Sequence, residues 1–353
     1  MTNSVHQRLV HHAKCCPILR RALLGLAAIA ALFVAGASRA YAQPMPQGPG
    51  AAQAWPTAPV HIVVPSPAGS GIDAVARMLA KRLSDLWGQA VVVDNRPGAN
   101  SIIGTEAVAR SAPDGYTLLF ASDSVFTVNP HMYARLPYDP VRDFVPIAQV
   151  ATFHQLLVAR PSLGANNLAG AIAIARARPG IVTYASYGVG SAAHLLSELL
   201  RSQTHTDLLH VPYKGIAQSV AAVVAGESDL TWAGVYSTQA HVRAGRLRAL
   251  AIAAPARSHL LPQVPTFAEL GYPAIDYPLW YGLFAPARMS PGLLDRIQRD
   301  VAGILRDRAV RELELLAKAY EPSDLTPAQF ADKILREGRE RAALVKASGA
   351  LAE

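Results

Sequence analysis

Two segments of the chain place small residues directly before a predicted helix, an arrangement that can bind an anion through the backbone. The first segment follows a β-branched strand and supplies Ser66, Ala68, Gly69, Ser70 and Gly71. The second follows a later strand and supplies Ser186, Tyr187, Gly188, Gly190 and Ser191. N–H groups at a helix start lack an intrahelical acceptor, and the helix dipole adds partial positive charge there. Each segment is therefore predicted to bind a carboxylate without catalytic groups.

A third loop, at the end of a predicted strand, carries Ser122, Asp123 and Ser124. In open α/β sheets the ligand lies at the carboxyl ends of the strands, so we expect this loop to form a third wall of the same site. Serine hydroxyls donate to carboxylates, whereas Asp123 could accept a hydrogen bond from an amino group of the ligand. For Asp123 we favour a solvent-facing turn position, and for Asp73 a helix-start position stabilised by the helix dipole.

Two enzyme motifs overlap the second segment, and both are incomplete. Residues 188–193 fit the dinucleotide pattern G-x-G-x-x-A, but Asp207 precedes the next predicted strand, whereas the pattern needs an acid at the end of that strand. Residues 184–188 resemble the hydrolase turn G-x-S-x-G around Ser186, but Tyr184 stands where a small residue is needed. The sequence assigns no acid or base partner to Ser186. We expect a binding protein, with an exported dinucleotide-dependent or serine-dependent enzyme as the alternative.

The sequence does not indicate a metal or a nucleotide site elsewhere. The histidines form no H-E-x-x-H motif, and His205 and His210 have a poor spacing for two ligands of one metal. The chain has no phosphate-binding loop of the G-x-x-x-x-G-K type. His194 and Glu198 lie one turn apart on a predicted helix and are interpreted as a surface pair. We therefore expect no metal and no cofactor.

Residues 1–42 have the pattern of a secretory signal peptide. Basic residues up to Arg21 precede an uncharged apolar run, and residues 40–42 (Ala-Tyr-Ala) fit the small-x-small cleavage pattern. The apolar run of about 16 residues is shorter than the roughly 20 residues that a membrane span needs. We therefore expect cleavage near Ala42 and a periplasmic mature protein. Both cysteines, Cys15 and Cys16, lie in the removed segment, so no disulfide is expected.

The net charge of the chain gives no support for a nucleic-acid partner. The 353 residues include 33 basic and 25 acidic residues, for a formal net charge of +8. Residues 1–42 contain five of the basic residues and none of the acidic ones, so the predicted mature chain is only weakly basic. No cluster of lysine and arginine alternates with aromatic residues. We therefore expect no binding to nucleic acid.

Short apolar strands alternate with helical patterns, which predicts mainly parallel sheets covered by helices. One of the predicted strands spans residues 150–159. Near the C-terminus, Ser290-Pro291 is a predicted helix start and Thr326 begins a capping box, and no further strand is expected there. Such a helical tail must pack on an existing sheet, so the chain is predicted to cross between two lobes twice.

The predicted organisation has four parts. Residues 1–42 are the signal peptide, and residues 43–54 form a flexible spacer rich in proline, glycine, glutamine and alanine. Residues 55–151 and 282–353 form lobe 1, a discontinuous α/β domain, and residues 152–281 form lobe 2. The two crossings between the lobes, near Ala151 and Tyr281, are expected to act as a hinge.

Short motifs occur in a characteristic order along most of the chain. They are Trp55-Pro-Thr-Ala-Pro59, Val63-Val-Pro65, Asp94-Asn-Arg-Pro-Gly-Ala99, Ala112-Pro-Asp-Gly-Tyr-Thr117, Leu136-Pro-Tyr-Asp-Pro140, Tyr184-Ala-Ser186, His210-Val-Pro-Tyr-Lys-Gly215 and Trp280-Tyr-Gly-Leu283. In type and order they resemble the periplasmic substrate-binding receptors of tripartite tricarboxylate transporters, also called Bug-type receptors. The number of matches makes this resemblance specific.

The resemblance implies a two-lobed α/β fold of the periplasmic-binding-protein type II, or Venus-flytrap, class with a two-strand hinge. It also implies a small carboxylate ligand, such as a di- or tricarboxylate, an acidic amino acid or an aromatic acid, held by residues 66–71, 186–191 and 122–124. The implied partners are the membrane permease subunits of a tripartite transporter, and we expect the receptor to be a monomer. A receptor that signals through a sensor partner is the alternative.

The chain departs from the family pattern at several positions near the predicted site. Ser66 stands where an aromatic residue is usual, Ala68 replaces a proline and Ser70 replaces a glycine. The glycine-rich turn that usually follows Ala99 is replaced by Asn100-Ser-Ile102. These departures leave the fold prediction intact and leave the identity of the ligand open.

Overall fold

The computed structural model describes residues 55–350, in which the strands form two sheets. In chain order the strands are β1 (Val60–Val64), β2 (Val91–Asn95), β3 (Thr117–Ser122), β4 (Phe144–Phe153), β5 (Gln155–Ala159), β6 (Thr183–Ser186), β7 (Leu209–Pro212), β8 (Leu230–Gly234), β9 (Arg248–Ala253), β10 (Leu279–Pro286) and β11 (Glu321–Pro322). The first sheet has the order β11-β4-β10-β3-β1-β2, and the second has the order β7-β6-β8-β5-β9.

Helices connect most of these strands. In chain order they are α1 (Gly71–Trp87), α2 (Ile102–Ala109), α3 (Ser124–Thr127), α4 (Asn129–Met132), α5 (Leu168–Ala177), α6 (Ala192–Thr204), α7 (Ile216–Ala225), α8 (Val235–Arg243), α9 (Pro291–Arg306) and α10 (Pro327–Ser348). A π-helical turn at Val310–Leu315 and a 3₁₀ turn at Leu316–Lys318 lead from α9 to β11. The two helices that matter most for the site, α1 and α6, follow β1 and β6 directly.

Both sheets are mixed, which corrects the expectation of mainly parallel sheets. Strand β1 is parallel to β2 and β3, and β6 is parallel to β7 and β8. Strand β10 is antiparallel to β3 and β4, and β5 is antiparallel to β8 and β9. Strands β5 and β10 are those through which the chain enters one sheet from the other, so no crossover helix forces them into a parallel arrangement.

A single residue, His154, separates β4 in the first sheet from β5 in the second. The expected single strand at residues 150–159 is therefore wrong, because this mostly apolar run shows no break in its hydrophobic pattern. His154 is buried, and its Nδ1 atom lies 3.2 Å from the carbonyl oxygen of Ala253 in β9. This contact holds the crossing against the second sheet.

The chain returns to the first sheet at β10, which lies between β4 and β3. All of its residues are buried, so it lacks the alternating pattern by which a half-exposed strand is recognised. The expectation of a C-terminal tail without strands was also wrong, because Glu321 and Pro322 pair with β4. The lobe boundaries at 151/152 and 281/282 stay a prediction, and they fall close to the two passages between the sheets.

Aromatic residues fill the core between the first sheet and α10. Trp280 and Phe284 of β10 contact Phe330, with ring centroids 4.9 and 5.5 Å apart. The indole Nε1 of Trp280 donates to Glu337 Oε2 at 2.7 Å, so this buried carboxylate has a donor. The predicted capping box at Thr326 is present at the start of α10. These contacts fix the C-terminal helix on the first sheet.

Of the features predicted at the two ends of the chain, only those near the C-terminus fall within the described residues. The signal peptide at residues 1–42 and the spacer at residues 43–54 lie outside the described residues. Ser290 precedes α9 as expected, but its side chain makes no capping hydrogen bond. Within residues 55–350, no helix has both the length and the apolar character that a membrane crossing requires.

Gly282 in β10 tests the aromatic core. A Cβ atom at this position would lie 2.7 Å from Phe330 Cζ and 2.8 Å from Phe284 Cε2. We expect Gly282→Ala to lower the free energy of unfolding by about 1–3 kcal/mol, because two buried rings must shift. Urea denaturation followed by tryptophan fluorescence measures this change. Gly292→Ala in α9 is the control, since its Cβ would meet nothing within 4 Å, and equal losses in the two variants would contradict the packing.

Candidate functional site

A cavity of ≈ 1160 Å³ is lined by residues from both sheets. Most of the residues predicted from the sequence lie on its surface: Ser66, Ala68, Gly69, Ser70, Gly71, Ser122, Asp123, Ser124, Tyr187, Gly188, Gly190 and Ser191. Ser186 does not, because it is fully buried behind the second loop. Another cavity of ≈ 680 Å³, beside Arg142 and Arg288, contains none of the predicted residues. The structure thus brings the three predicted loops to one cavity.

The first loop ends at the uncapped start of α1. Ser70 occupies the N-cap position, but its hydroxyl donates to the carbonyl oxygen of Pro67 at 2.7 Å and does not cap the helix. The first intrahelical bond runs from the N–H of Ala74 to the carbonyl oxygen of Ser70. The N–H groups of Gly71 and Ile72 therefore precede the helical ladder, and both residues line the cavity. This helix start can accept a negatively charged group.

Asp73 fixes the shape of the first loop from inside the protein. Its Oδ2 accepts from the N–H of Gly69 at 2.8 Å and from Arg77 Nε at 3.0 Å, and its Oδ1 accepts from Asn95 Nδ2 at 2.9 Å. Burial raises the pKa of Asp73, but the hydrogen bonds from Arg77, Gly69 and Asn95 outweigh burial and leave the pKa below its ordinary value. Because the Gly69 N–H is already used, Gly69 contributes its left-handed backbone, at φ 78°, to the loop.

The second loop ends at α6, whose start is capped. Ser191 occupies the N-cap position, and its hydroxyl accepts from the N–H of His194. The N–H of Gly190 donates to His194 Nδ1 at 3.1 Å. Gly190 also packs against Met132 of α4 so closely that a Cβ atom would overlap the thioether. The second loop therefore contacts α4, a helix that lies between two strands of the first sheet.

Three stacked rings lie behind the second loop. The rings of Tyr184 and His210 are 4.8 Å apart, and those of His210 and His194 are 4.3 Å apart. Burial, together with the neighbouring His194, lowers the pKa of His210 to about 4, so this ring is neutral at neutral pH. The expected surface pair of His194 and Glu198 is not formed, because His194 is buried and Glu198 accepts from the Tyr184 hydroxyl at 2.7 Å.

Ser186 and His210 form a close pair that the sequence could not assign, because they are distant in the chain. Ser186 Oγ lies 2.6 Å from His210 Nε2, which is within the range of a nucleophile and its base. However, Ser186 is fully buried, and its Oγ also lies 3.1 Å from the carbonyl oxygen of Gly188 and 3.2 Å from the N–H of Gly188. A histidine with a pKa of about 4 is also a weak base at neutral pH. The pair holds the loop in place.

A side chain from the first sheet's loops reaches the second loop. Asn100 Nδ2 donates to the carbonyl oxygen of Val189 at 3.2 Å and to the Tyr133 hydroxyl at 2.9 Å. Ala99, Asn100 and Ser101 all adopt left-handed backbone, with φ of 45°, 50° and 71°. Left-handed backbone is unfavourable for most residues, although asparagine tolerates it better than alanine or serine. The replacement of the family's glycine-rich turn at this place was recognisable from the sequence. The contact with Val189 was not, because Val189 is distant in the chain.

The floor of the cavity contains groups that the sequence did not identify. They include Gln155, Tyr277, Leu279, Tyr281 and Tyr320. Residues 277–281 enter or form β10, so they became recognisable only once that strand was known. Asp123 also lies on this floor and is only 2% exposed, which corrects the expectation of a solvent-facing turn acid. Its neighbours Ser122 and Ser124 bond to each other, with 3.0 Å between their hydroxyl oxygens.

No group of three or more His, Cys, Asp or Glu side chains placed to hold a metal occurs in the described part of the chain. The donors that line the cavity are instead backbone N–H groups, hydroxyls, side-chain amides and the ammonium groups of Lys214 and Lys318. Such groups bind and orient an organic anion.

Comparisons with known proteins identify the family. Residues 75–349 match the model of the tripartite tricarboxylate transporter family receptor. The chain belongs to this receptor family. Protein BugT of Bordetella pertussis is 37% identical over 326 residues, which cover 92% of this chain and 98% of that protein.

Two solved structures are similar over most of the chain. Rpa4515 of R. palustris, solved with adipate, is 31% identical at a TM-score of 0.79 and covers 84% of this chain and 98% of that chain. MatC of Rhodopseudomonas palustris, solved with bound malate, is 26% identical at a TM-score of 0.76 and covers 82% of this chain and 100% of that chain. The resemblance to Bug-type receptors and the periplasmic-binding-protein fold are therefore confirmed.

The hydrogen bonds of Asp73 provide a test of the first loop. We expect Asp73→Ala to lower the free energy of unfolding by about 1–3 kcal/mol, because Gly69 N–H and Asn95 lose a buried acceptor. Asp85→Ala removes an exposed ion pair with Lys81 and is the control, with an expected loss of about 0.5 kcal/mol or less. Urea denaturation measures both variants.

The same variant has a defined pH dependence. A carboxyl group whose pKa is lowered in the folded state stabilises the fold above its unfolded pKa, and this contribution is lost as pH falls through the folded pKa. The pKa of Asp73 is lowered from 3.8, so the difference between wild type and Asp73→Ala should be full near neutral pH and should shrink below about pH 4. A difference that stays constant down to about pH 2 would contradict the role of the charged form.

Proposed function

We propose that this protein is an exported, monomeric receptor that binds a small carboxylate between two lobes and delivers it to a tripartite tricarboxylate-type membrane transporter. One observation carries the proposal. Helix α1 follows a strand of the first sheet and α6 follows a strand of the second sheet, yet both helices begin at the same cavity. Membership of a transporter receptor family supports the transport role. In this proposal residues 1–42 direct export and are removed.

The chemistry of the loops and the relatives both favour a carboxylate. Backbone N–H groups at helix starts prefer anions, and the two similar structures described above were solved with adipate and with malate. Each helix start contributes about 1 kcal/mol per charge, and up to about 2 kcal/mol when partly buried. Micromolar binding corresponds to about −8 kcal/mol, so hydroxyl donors and exclusion of water must supply most of the affinity.

We further propose that the ligand stabilises a closed form by contacting both lobes at once. Lobe 1 comprises residues 55–151 and 282–353, lobe 2 comprises residues 152–281, and the passages at His154 and before β10 form the hinge. A ligand favours the closed form only by its higher affinity for that form. The contacts of Asn100 with Val189 and of Met132 with Gly190 would belong to the closed form.

A thermal-shift screen of the chain from residue 43 against di- and tricarboxylates, acidic amino acids and aromatic acids tests the ligand class. At about 100-fold excess over its dissociation constant, a bound acid adds about 2.7 kcal/mol, which raises the melting temperature by roughly several degrees. No shift with any acid, or turnover of the bound acid, would contradict the proposal.

Gly188→Leu tests the assignment of the second loop in the same screen. Gly188 lines the cavity at φ 128°, so a leucine there would both strain the turn and occupy the ligand space, and we expect the shift to be lost. Gly226→Leu is the control, because Gly226 has φ 84° but ends α7 outside the cavity. A shift retained by Gly188→Leu would show that this loop does not contact the ligand.

Asn100→Gly tests closure. Glycine accepts the left-handed backbone at this position, so the variant removes the bond to Val189 without straining the turn. We expect the affinity for the best acid of the screen to fall about fivefold, or about 1 kcal/mol, in isothermal calorimetry. Asn166→Gly, at an exposed asparagine, is the control. Unchanged affinity in Asn100→Gly would show that this bond does not stabilise the liganded form.

A further inference from the structure

The floor of the cavity is rich in hydrogen-bond acceptors. Gln155 is 1% exposed, and its Nε2 donates to the Tyr187 hydroxyl at 2.6 Å. With the amide in this orientation, Oε1 is buried without a hydrogen-bond partner among the described residues. Gln155 lines the cavity, so a molecule bound at the base of the cavity lies next to this amide.

A second buried polar atom without a partner in residues 55–350 lies on the same floor. The Tyr277 hydroxyl is buried and unpaired, although the Tyr277 ring contacts Arg341, whose guanidinium carbon is 3.3 Å from the ring centroid. A buried polar group that lacks a partner costs about 1–3 kcal/mol, so two such atoms at one place favour a ligand that satisfies them.

Asp123 is the third member of this floor and lies close to the other two. Its carboxyl group is near enough to raise the pKa of Tyr187 and of Tyr277. Tyr187 in turn holds Gln155. The acceptor floor consists of these three residues, Asp123, Gln155 and Tyr277. All three are at most 2% exposed and all three line the cavity.

The groups that face Asp123 come from several elements. Glu337 and Arg341 of α10 lie behind it, and Tyr187, Tyr277 and Tyr281 lie beside it. Burial raises the pKa of Asp123 to about 7, the Arg341 guanidinium opposes this rise and Glu337 adds to it. Arg341 is itself engaged with the Tyr277 ring, and Glu337 with Trp280 and Lys333. Asp123 is thus a buried carboxyl group that has one cation, Arg341, and one carboxylate, Glu337, as charged neighbours and that accepts from the backbone N–H of Ser124.

We propose that the ligand of this receptor carries, opposite its carboxylate, an ammonium group that donates to Asp123, Gln155 and Tyr277. The inference rests on the proposed function, since the carboxylate is assigned to the loops before α1 and α6. An ammonium group offers three donors, and the carboxylate of Asp123, the amide oxygen of Gln155 and the hydroxyl oxygen of Tyr277 can each accept one of them. A second carboxylate at this position would face the carboxylate of Asp123, and the two like charges would repel each other.

Matched acids that differ only at the far end test this inference by calorimetry at about pH 8. An aliphatic series comprises pentanoate, 5-hydroxypentanoate, glutarate and 5-aminopentanoate, with shorter and longer homologues. An aromatic series comprises benzoate, 4-hydroxybenzoate, terephthalate and 4-(aminomethyl)benzoate. In the series that fits the cavity, we expect the ammonium acid to bind at least about tenfold more tightly than the other members.

Asp123→Asn assigns the effect to the acceptor floor. This variant keeps the size of the side chain and removes its charge, so we expect the preference for the ammonium acid to fall to about threefold or less. The affinity for the ammonium acid should fall much more than the affinity for the matching acid without a polar end, because the loops before α1 and α6 are intact. Asp276→Asn, at an exposed acid next to Tyr277, is the matched control and should keep the full preference.

The pH dependence separates a charge effect from a change of shape. Asp123 must be ionised to bind the ammonium, so below a pKa of about 7 the affinity of the wild type for the ammonium acid should fall by up to about tenfold per pH unit. The ammonium group stays charged in this range. Asp123→Asn should lose this dependence, and pentanoate or benzoate should not show it in either protein.

The outcomes distinguish the two proposals. Tighter binding of the dicarboxylate, equal binding of the hydroxy acid, or an unchanged preference in Asp123→Asn would each overturn the inference and leave a carboxylate receptor. If no acid of either series or of the wider screen binds, the proposed function fails as well.

Discussion

Backbone N–H groups at the start of a helix have no acceptor within the helix, and two helices of this protein begin at the same cavity. The side chains around the cavity are arranged to hold the loops before these two helices in place. Asp73 holds the loop before α1 by accepting from Gly69, and Ser186 with His210 holds the loop before α6. These supporting residues lie behind the cavity surface. The protein therefore fixes the directions of its backbone donors with buried side chains, which is how preorganised binding sites keep their geometry.

The two sheets determine which groups form the walls and which form the floor. The loops at the ends of β1 and β6 form opposite walls, because these strands belong to different sheets. Gln155 begins β5 immediately after the passage at His154, and Tyr277 lies just before β10. Gln155 and Tyr277 on the floor therefore come from the segments that connect the sheets, whereas Asp123 comes from the loop after β3. The affinity of a ligand that contacts both walls and the floor would therefore depend on the relative position of the two sheets.

Local sequence signals were sufficient to predict where the loops before α1 and α6 lie, because a glycine-rich segment between a strand and a helix is recognisable within about ten residues. They were also sufficient to predict the fold class. They were insufficient where burial hides the pattern. Strand β10 is buried on both faces, and the run around His154 is apolar on both sides of the crossing, so neither showed its strand boundaries. The burial of Asp123 depends on α10, more than 200 residues away in the chain, and no local rule reports such a neighbour. The pairing of Ser186 with His210 was hidden for the same reason.

The turn formed by Ala99, Asn100 and Ser101 affects how selective the cavity can be. Left-handed backbone costs about 1–2 kcal/mol for most residues other than glycine and asparagine, and here Ala99 and Ser101 adopt it on either side of Asn100. The bonds of Asn100 with Tyr133 and Asn129 offset part of this strain. A glycine-rich turn can change its path to admit solutes of different size, whereas a strained turn held by side chains has few other paths available. We therefore expect this turn to keep one shape whichever solute binds, so that it limits the range of solute sizes that the closed receptor can hold.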